Sequence, residues 1–150
     1  MQKYKLDDLK ICAQTCAAAN VRRSSRAITR FYASFFSSLD LEPTQYSLLV
    51  ASALAEGITV SKLADMFVMD RSTLARNLAL MEKNGLIKID KGEDKRTRII
   101  KLTKDGESAL SKAMPLWQKA QKEIELNFGS KRLTNLINEL KTLTQLTHSE

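Results

Sequence analysis

The sequence is poor in the residues that build disulfide scaffolds and membrane spans. Its 150 residues include two cysteines, which are too few for a disulfide framework and fit a reducing compartment. No apolar run approaches the roughly 18 residues of a membrane span, and the N-terminal segment MQKYKLDDLK lacks the apolar core of a signal peptide. We therefore expect a cytoplasmic protein that does not contact membranes.

The same scarcity argues against catalysis and metal binding. The single histidine, His148, lies near the C-terminal end and far in sequence from Cys12 and Cys16, so these residues form no recognisable metal or nucleophile constellation. We expect no catalytic residues, no metal, no cofactor and no enzyme. The two cysteines lie four residues apart in a predicted helix, where they share a face, and we interpret them as small buried apolar residues.

Positive charge is abundant and unevenly distributed. Residues 59–104 hold 11 Lys and Arg against six Asp and Glu, and residues 1–30 hold seven against two, within a net charge of +7. The 43% hydrophobic content is enough for a core. Basic blocks of this kind favour phosphate backbones or acidic membrane surfaces.

Apolar periodicity predicts a mainly α chain. A long or broken helix is expected from Leu6 to about Leu39, and a second helix from Thr44 to Ala55. A short helix capped by Thr59 follows and ends at Phe67, and a further helix capped by Asp70 runs from Arg71 to Asn84, where Gly85 stops it. Two helices that meet at Val68 to Asp70 have the layout of a helix-turn-helix.

The helix after Asp70 has two distinct faces. Leu74, Leu78 and Met81 form one apolar stripe, which should pack inward. The opposite face is basic yet low in bulk, so that a narrow surface can approach it; its residues are Ser72, Ala75, Arg76, Ala79 and Lys83. A solvated surface helix is the alternative interpretation.

A β-hairpin should follow this helix. The segment from Gly85 to Asp90 alternates apolar and polar residues, and the segment from Arg98 to Leu102 can pair with it antiparallel. The intervening KGEDKRT places Lys91, Lys95 and Arg96 at the tip. A cationic hairpin behind a recognition helix is a wing, whose long side chains can reach the minor groove or flanking phosphates. The predicted fold class is thus mainly α with a small β-hairpin wing.

These segments resemble the winged helix-turn-helix core of the multiple antibiotic resistance regulator (MarR) family. The resemblance rests on Leu-Ala at 63–64, DRSTL at 70–74, MEKNGLI at 81–87, the Asp-x-Arg at 94–96 and LTKDG at 102–106. It implies a homodimeric regulator that binds pseudo-palindromic double-stranded DNA, usually as a repressor that a small aromatic or lipophilic ligand releases. It also implies base-reading positions at Ser72, Thr73 and Arg76, and a wing arginine at Arg96 that Asp94 orients. The wider predicted DNA-binding set is Arg71, Ser72, Thr73, Arg76, Asn77, Lys91, Lys95, Arg96 and Arg98.

Two departures from the family pattern affect these expectations. The turn often contains Gly where this chain has Val68, and a β-branched residue at positive φ is strained, so we expect a differently shaped turn. Hydroperoxide-responsive members carry a reactive cysteine in the first helix, at the position that falls on Ala18 here. A cysteine-based redox sensor that uses Cys12 or Cys16 is therefore an alternative to the structural interpretation.

The terminal regions predict dimerisation. Residues 1–42 and 104–150 should form long helices whose apolar stripes have little to pack on within one chain, whereas residues 43–103 should form the DNA-binding lobe. A last helix after Ser130 carries such a stripe, at Leu133, Leu136, Ile137, Leu140, Leu143 and Leu146. A winged-helix module that binds protein or structured RNA remains the alternative function.

Overall fold

The computed structural model describes residues 4–94 and 96–148 and is mainly helical with one small sheet. The elements in chain order are α1 (Leu6–Thr15), α2 (Ala17–Phe36), a 3-10 turn (Ser37–Leu39), α3 (Pro43–Leu54), β1 (Ile58–Thr59), α4 (Val60–Met66), α5 (Arg71–Lys83), β2 (Ile87–Lys91), β3 (Arg98–Leu102), α6 (Lys104–Phe128) and α7 (Ser130–Thr147). The predicted fold class is confirmed.

Three helices begin at polar caps, and two of these caps, Thr59 and Asp70, are the ones predicted above. The side-chain oxygens of Thr59, Asp70 and Thr103 each accept the backbone N–H three residues later, at 3.2, 2.8 and 3.0 Å. Each cap satisfies a donor that the first helical turn leaves without a partner. The start of α3 combines Pro43 in the first turn with a reciprocal capping box between Glu42 and Gln45.

The sheet has three antiparallel strands in the order β1-β3-β2. The predicted hairpin forms β2 and β3, with Ile87 opposite Leu102 and Ile89 opposite Ile100. Strand β1 was not predicted, because it consists of two residues and exists only through its pairing with β3, in which Ile58 lies opposite Ile100.

The core lies between α3, α4, α5 and the sheet. The inward stripe of α5 is buried as predicted, with Leu74 and Met81 fully inaccessible and Leu78 nearly so. These side chains pack with buried residues from α3, α4 and the sheet, among them Leu48, Leu49, Leu63, Ile87 and Ile100. Burial on this scale holds the outward face of α5 in a fixed orientation.

The terminal helices are much less covered. Helix α1 has no buried residue, and in α7 only Leu133 is buried. Apolar side chains of α7 that should be inside a stable fold are about 40% exposed, namely Leu136, Ile137, Leu140 and Leu143. Within one chain these helices therefore present continuous apolar faces to water.

The structure corrects two predictions about local geometry. Val68 adopts φ = 48°, so the turn keeps the left-handed conformation usual for glycine, and the expectation of a differently shaped turn was wrong. Its side chain is 51% exposed, and the surrounding helices α4 and α5, not the residue itself, impose the conformation.

The cysteines do not share the face of one helix, and Cys12 is not buried. Cys16 has an extended conformation (φ −60°, ψ 108°) that ends α1 before α2 begins. Cys12 is exposed on α1 and Cys16 is half-buried, and both are free thiols. The helical periodicity of the sequence continues across this break, so the pattern alone does not reveal it.

Candidate nucleic-acid interface

The outward face of α5 is exposed, small and basic. Ser72, Ala75, Arg76, Ala79 and Lys83 are all exposed, while the opposite stripe is buried. Because these five positions recur at helical spacing, they form a single ridge. Ala79 and the exposed Leu80 lie between its two cationic side chains. Arg71 is also exposed, at the first position of the helix.

Asp70 organises the beginning of this ridge. Its Oδ1 accepts from the Ser72 hydroxyl at 2.6 Å and from the Thr73 backbone N–H at 2.8 Å, and its Oδ2 accepts from the Thr73 hydroxyl at 2.6 Å. Hydrogen bonds from the Ser72 and Thr73 hydroxyls, and then from the Thr73 amide, hold the pKa of Asp70 well below its usual range. The carboxylate is therefore ionised at every physiological pH.

The next turn of the helix continues this network. Arg76 Nη2 donates to Thr73 Oγ1 at 3.3 Å, and Asn77 Nδ2 donates to the Thr73 carbonyl at 2.9 Å. The half-buried Asn77 amide is thus bonded along its own helix, whereas Arg76 is exposed and its bond to Thr73 uses one of the five donors of a guanidinium.

The tip of the hairpin is a compact turn. The Gly92 and Thr97 amides donate to the Thr97 and Asp94 carbonyls at 3.0 and 2.9 Å. Asp94 Oδ1 accepts from the backbone N–H of Arg96 at 3.0 Å, so Asp94 orients Arg96 through the backbone of the turn. Lys95, which was predicted to bind DNA, lies outside the described residues.

Cations face each other across the two strands of the wing. Lys88 lies opposite Lys101, and Lys91 lies opposite Arg98; like charges directly opposite destabilise an isolated sheet. Asp90 offsets the first pair, since its carboxylate lies 3.4 Å from Lys88 Nζ and 3.5 Å from Lys101 Nζ. The second pair lies next to the tip of the hairpin.

A hydrogen bond joins the wing directly to α5. The Ile89 backbone N–H donates to Glu82 Oε1 at 3.1 Å. The bond connects the last turn of α5 to the middle of β2, so that the ridge and the wing belong to one packed lobe.

An apolar cavity of about 660 Å³ lies between α3, α4 and α6. Its wall includes Tyr46, Phe67, Met114 and Trp117, and none of the residues that line it is charged. The Tyr46 hydroxyl donates to Met114 Sδ at 3.5 Å, and burial raises the pKa of Tyr46. The cavity has the size and apolar character of a small-molecule site.

Other classes of site receive no support from the described residues. Across residues 4–94 and 96–148, no helix is both long and apolar enough to cross a membrane. Within the same ranges, no group of three or more His, Cys, Asp or Glu side chains is arranged to hold a metal ion.

Comparison with known proteins identifies the family. The MarR family model matches residues 39–97, from the end of the 3-10 turn to the tip of the wing. The organic hydroperoxide resistance transcriptional regulator of Bacillus subtilis is 33% identical over 113 residues, which are 75% of this chain and 76% of that protein. The chain belongs to the MarR family.

Solved structures of MarR-type regulators extend the likeness to nearly the whole chain. The Mycobacterium tuberculosis transcriptional regulator MosR in complex with DNA superposes with a TM-score of 0.82 at 33% identity, covering 89% of this chain and 97% of that one. A mutant MarR from Escherichia coli complexed with operator DNA gives a TM-score of 0.79 at 21% identity, covering 93% and 99%. At that identity the second likeness concerns the fold alone.

Sequence reasoning found the ridge and the wing but missed the bonds that order them. Asp70 was predicted only as a helix cap, and its hydrogen bonds with the Ser72 and Thr73 hydroxyls were not predicted. The signal was present, because a capping carboxylate followed by hydroxyl residues two and three positions later can bind both. The bond between Glu82 and β2 has no local signature, since it depends on how the wing packs.

Proposed function

We propose that this MarR-family protein is a homodimeric repressor that binds a pseudo-palindromic operator in double-stranded DNA. The observation that carries the proposal is the presence, on one rigid lobe, of a small-residue basic ridge and a cationic hairpin tip. A helix of this kind fits the major groove, whereas a hairpin with long cations reaches phosphates or the minor groove. The DNA complex of the 33% identical MosR supports this assignment. Acting on chromosomal DNA places the protein in the cytoplasm.

The proposed contacts divide into two groups. Arg76 presents a guanidinium fork that can bind guanine in two places, and Ser72 and Thr73 lie beside it on the same face. The remaining residues of the predicted set should contribute mainly phosphate or minor-groove contacts. They are Arg71 and Asn77 of the helix segment and Lys91, Lys95, Arg96 and Arg98 of the hairpin segment. Lys91 and Arg98 lie opposite each other next to the tip of the hairpin, where both side chains can contact phosphates.

We propose that residues 1–42 and 104–150 form the dimerisation region and that residues 43–103 form the DNA-binding lobe. The exposed apolar faces of α1 and α7 support this division. Since the described residues leave these faces exposed, pairing two chains would remove a large apolar surface from water. Sedimentation at micromolar concentration should show a dimer, and a monomer near 17 kDa would contradict the proposal.

The cavity between α3, α4 and α6 is the proposed effector site. It lies between two helices of the lobe and one helix of the proposed dimerisation region. A bound ligand should therefore change how the lobe packs against α6. Because the wall carries no charged side chain, a neutral lipophilic molecule should bind in preference to a carboxylate, whose burial is costly. Thermal shifts with a neutral aromatic ester and the matching acid test this, and equal shifts would contradict it.

The DNA proposal is tested by fluorescence anisotropy with labelled duplex DNA and duplex RNA across a salt series. We expect tighter binding to DNA, with affinity falling steeply as salt rises. Selection of bound fragments from genomic DNA then yields the operator, which should contain two related half-sites about one helical turn or a multiple of it apart. Equal affinity for both nucleic acids, or none for either, would favour the alternative of a winged-helix module for RNA or protein.

A further inference from the structure

The hydroxyl groups of Ser72 and Thr73, in the first turn of α5, have no hydrogen left to donate to a ligand. Ser72 Oγ and Thr73 Oγ1 each lie 2.6 Å from a different oxygen of Asp70. A carboxylate that is ionised can only accept hydrogen bonds, and each hydroxyl carries one hydrogen. Both hydrogens must therefore point at Asp70, in short charge-assisted bonds that are about twice as strong as neutral ones.

This arrangement fixes what each hydroxyl can offer to a ligand. Ser72 Oγ retains two lone pairs, and it is exposed. Thr73 Oγ1 retains one, because it also accepts from Arg76 Nη2 at 3.3 Å. Phosphate oxygens and the carbonyl oxygens of guanine and thymine only accept hydrogen bonds, so neither hydroxyl can bind them while its bond to Asp70 persists.

We propose that Asp70 is a specificity-determining positioning residue, which makes Ser72 and Thr73 acceptors that select adenine or cytosine in the major groove. At the corresponding groove position, adenine and cytosine present an amino group, whereas guanine and thymine present a carbonyl oxygen. The inference rests on the proposed function, and it adds a residue that need not touch DNA. The carboxylate also brings a negative charge near the DNA phosphates, which lowers the affinity for DNA.

The Asp70→Asn variant tests the proposal without removing the helix cap. Asn caps helices about as well as Asp, and its carbonyl oxygen can keep the bonds from the Thr73 amide and the Ser72 hydroxyl. The amide nitrogen then replaces Oδ2, and because it can only donate, it releases the Thr73 hydroxyl hydrogen. Thr73 becomes able to donate to guanine, to thymine or to a phosphate.

The experiment selects operators from a random duplex library with the wild type and with each variant. For the wild type we expect adenine or cytosine at the positions that Ser72 and Thr73 contact. At the base that Thr73 contacts, Asp70→Asn should lower the ratio of adenine and cytosine to guanine and thymine by about three- to tenfold. This factor corresponds to one hydrogen bond. Circular dichroism verifies that each variant is folded.

Two further variants separate hydroxyl orientation from charge and from general damage. Asp65→Asn removes one negative charge from the neighbouring helix α4, where Asp65 is exposed, and should leave base preference unchanged. Thr73→Val removes the hydroxyl while keeping the shape, so adding Asp70→Asn to it should cause no further change at the Thr73 position.

The outcomes discriminate between the two proposals. If the wild type selects an operator and Asp70→Asn selects the same bases, the role of Asp70 is refuted and the DNA-binding function stands. An equal shift with and without the Thr73 hydroxyl would likewise refute it, since Asp70 would then act by another route. If the wild type selects no duplex, the proposed function fails and this inference fails with it.

Discussion

Among the glycines, Gly106 is the one at which an added methyl group should destabilise the fold most. It is buried in the first turn of α6, directly against the segment that joins α5 to β2. A Cβ at this position would lie 1.9 Å from the Leu86 carbonyl oxygen and 3.0 Å from its carbon. Reaching ordinary contact requires the two backbones to separate by about 1.5 Å.

That separation has a calculable cost. The Leu86 carbonyl accepts from the Thr103 backbone N–H at 3.2 Å, and the Gly85 carbonyl accepts from the Thr103 hydroxyl. Losing both hydrogen bonds costs about 1–3 kcal/mol, and the strain of overpacking adds about 1–3 kcal/mol. The higher helix propensity of alanine offsets about 1 kcal/mol of this destabilisation. We expect Gly106→Ala to lower the free energy of unfolding by about 3 kcal/mol.

Urea unfolding followed by far-ultraviolet circular dichroism measures this change. All variants are compared at one protein concentration, because dimerisation contributes to apparent stability. Ser108→Ala is the control; it introduces alanine at an exposed position of the same helix and should alter stability by less than about 0.5 kcal/mol. A Gly106→Ala protein as stable as the wild type would refute the close-approach argument.

Three further predictions concern DNA readout, redox chemistry and the turn. Arg76→Ala should weaken the free energy of binding to the selected operator by about 1–3 kcal/mol and reduce the discrimination between operator and scrambled duplex. Arg96→Ala should weaken binding to both duplexes alike and flatten the salt dependence. The reverse pattern in anisotropy titrations would exchange the roles of helix and wing. Replacing both Cys12 and Cys16 by Ser should not change how hydroperoxide affects DNA binding, since the family's reactive position falls on Ala18. If hydroperoxide releases the parent protein from DNA but not the double variant, the protein is a redox switch. Val68→Asn should raise the free energy of unfolding by up to about 1 kcal/mol, because Asn tolerates φ > 0 better than a β-branched residue, and a decrease in urea unfolding would contradict this.

Features specified by neighbouring residues could be predicted from the sequence. The caps at Thr59, Asp70 and Thr103 are local, because each side chain binds a backbone amide three residues away. The inward stripe of α5 likewise follows from helical periodicity alone. These two kinds of signal were enough to predict the ridge, and the alternation of apolar and polar residues in the segment from Gly85 to Asp90 predicted the wing.

Features specified by distant contacts could not be predicted. Strand β1 requires a partner some 40 residues later in sequence, and the left-handed Val68 is imposed by the packing of α4 against α5. The motif LTKDG contributed to the family resemblance, but its physical reason is visible only in three dimensions. Thr103 caps α6 and Gly106 leaves room for the Leu86 carbonyl.

The bond from Ile89 to Glu82 limits how operators for this protein can vary. It fixes the wing to the last turn of α5, so the separation between a major-groove contact and a wing contact is set within one lobe. A base pair inserted between those two contacts should therefore not be absorbed by bending of the hairpin. Length variation among operators should fall instead between the two half-sites, where the two lobes of a dimer can adjust their spacing.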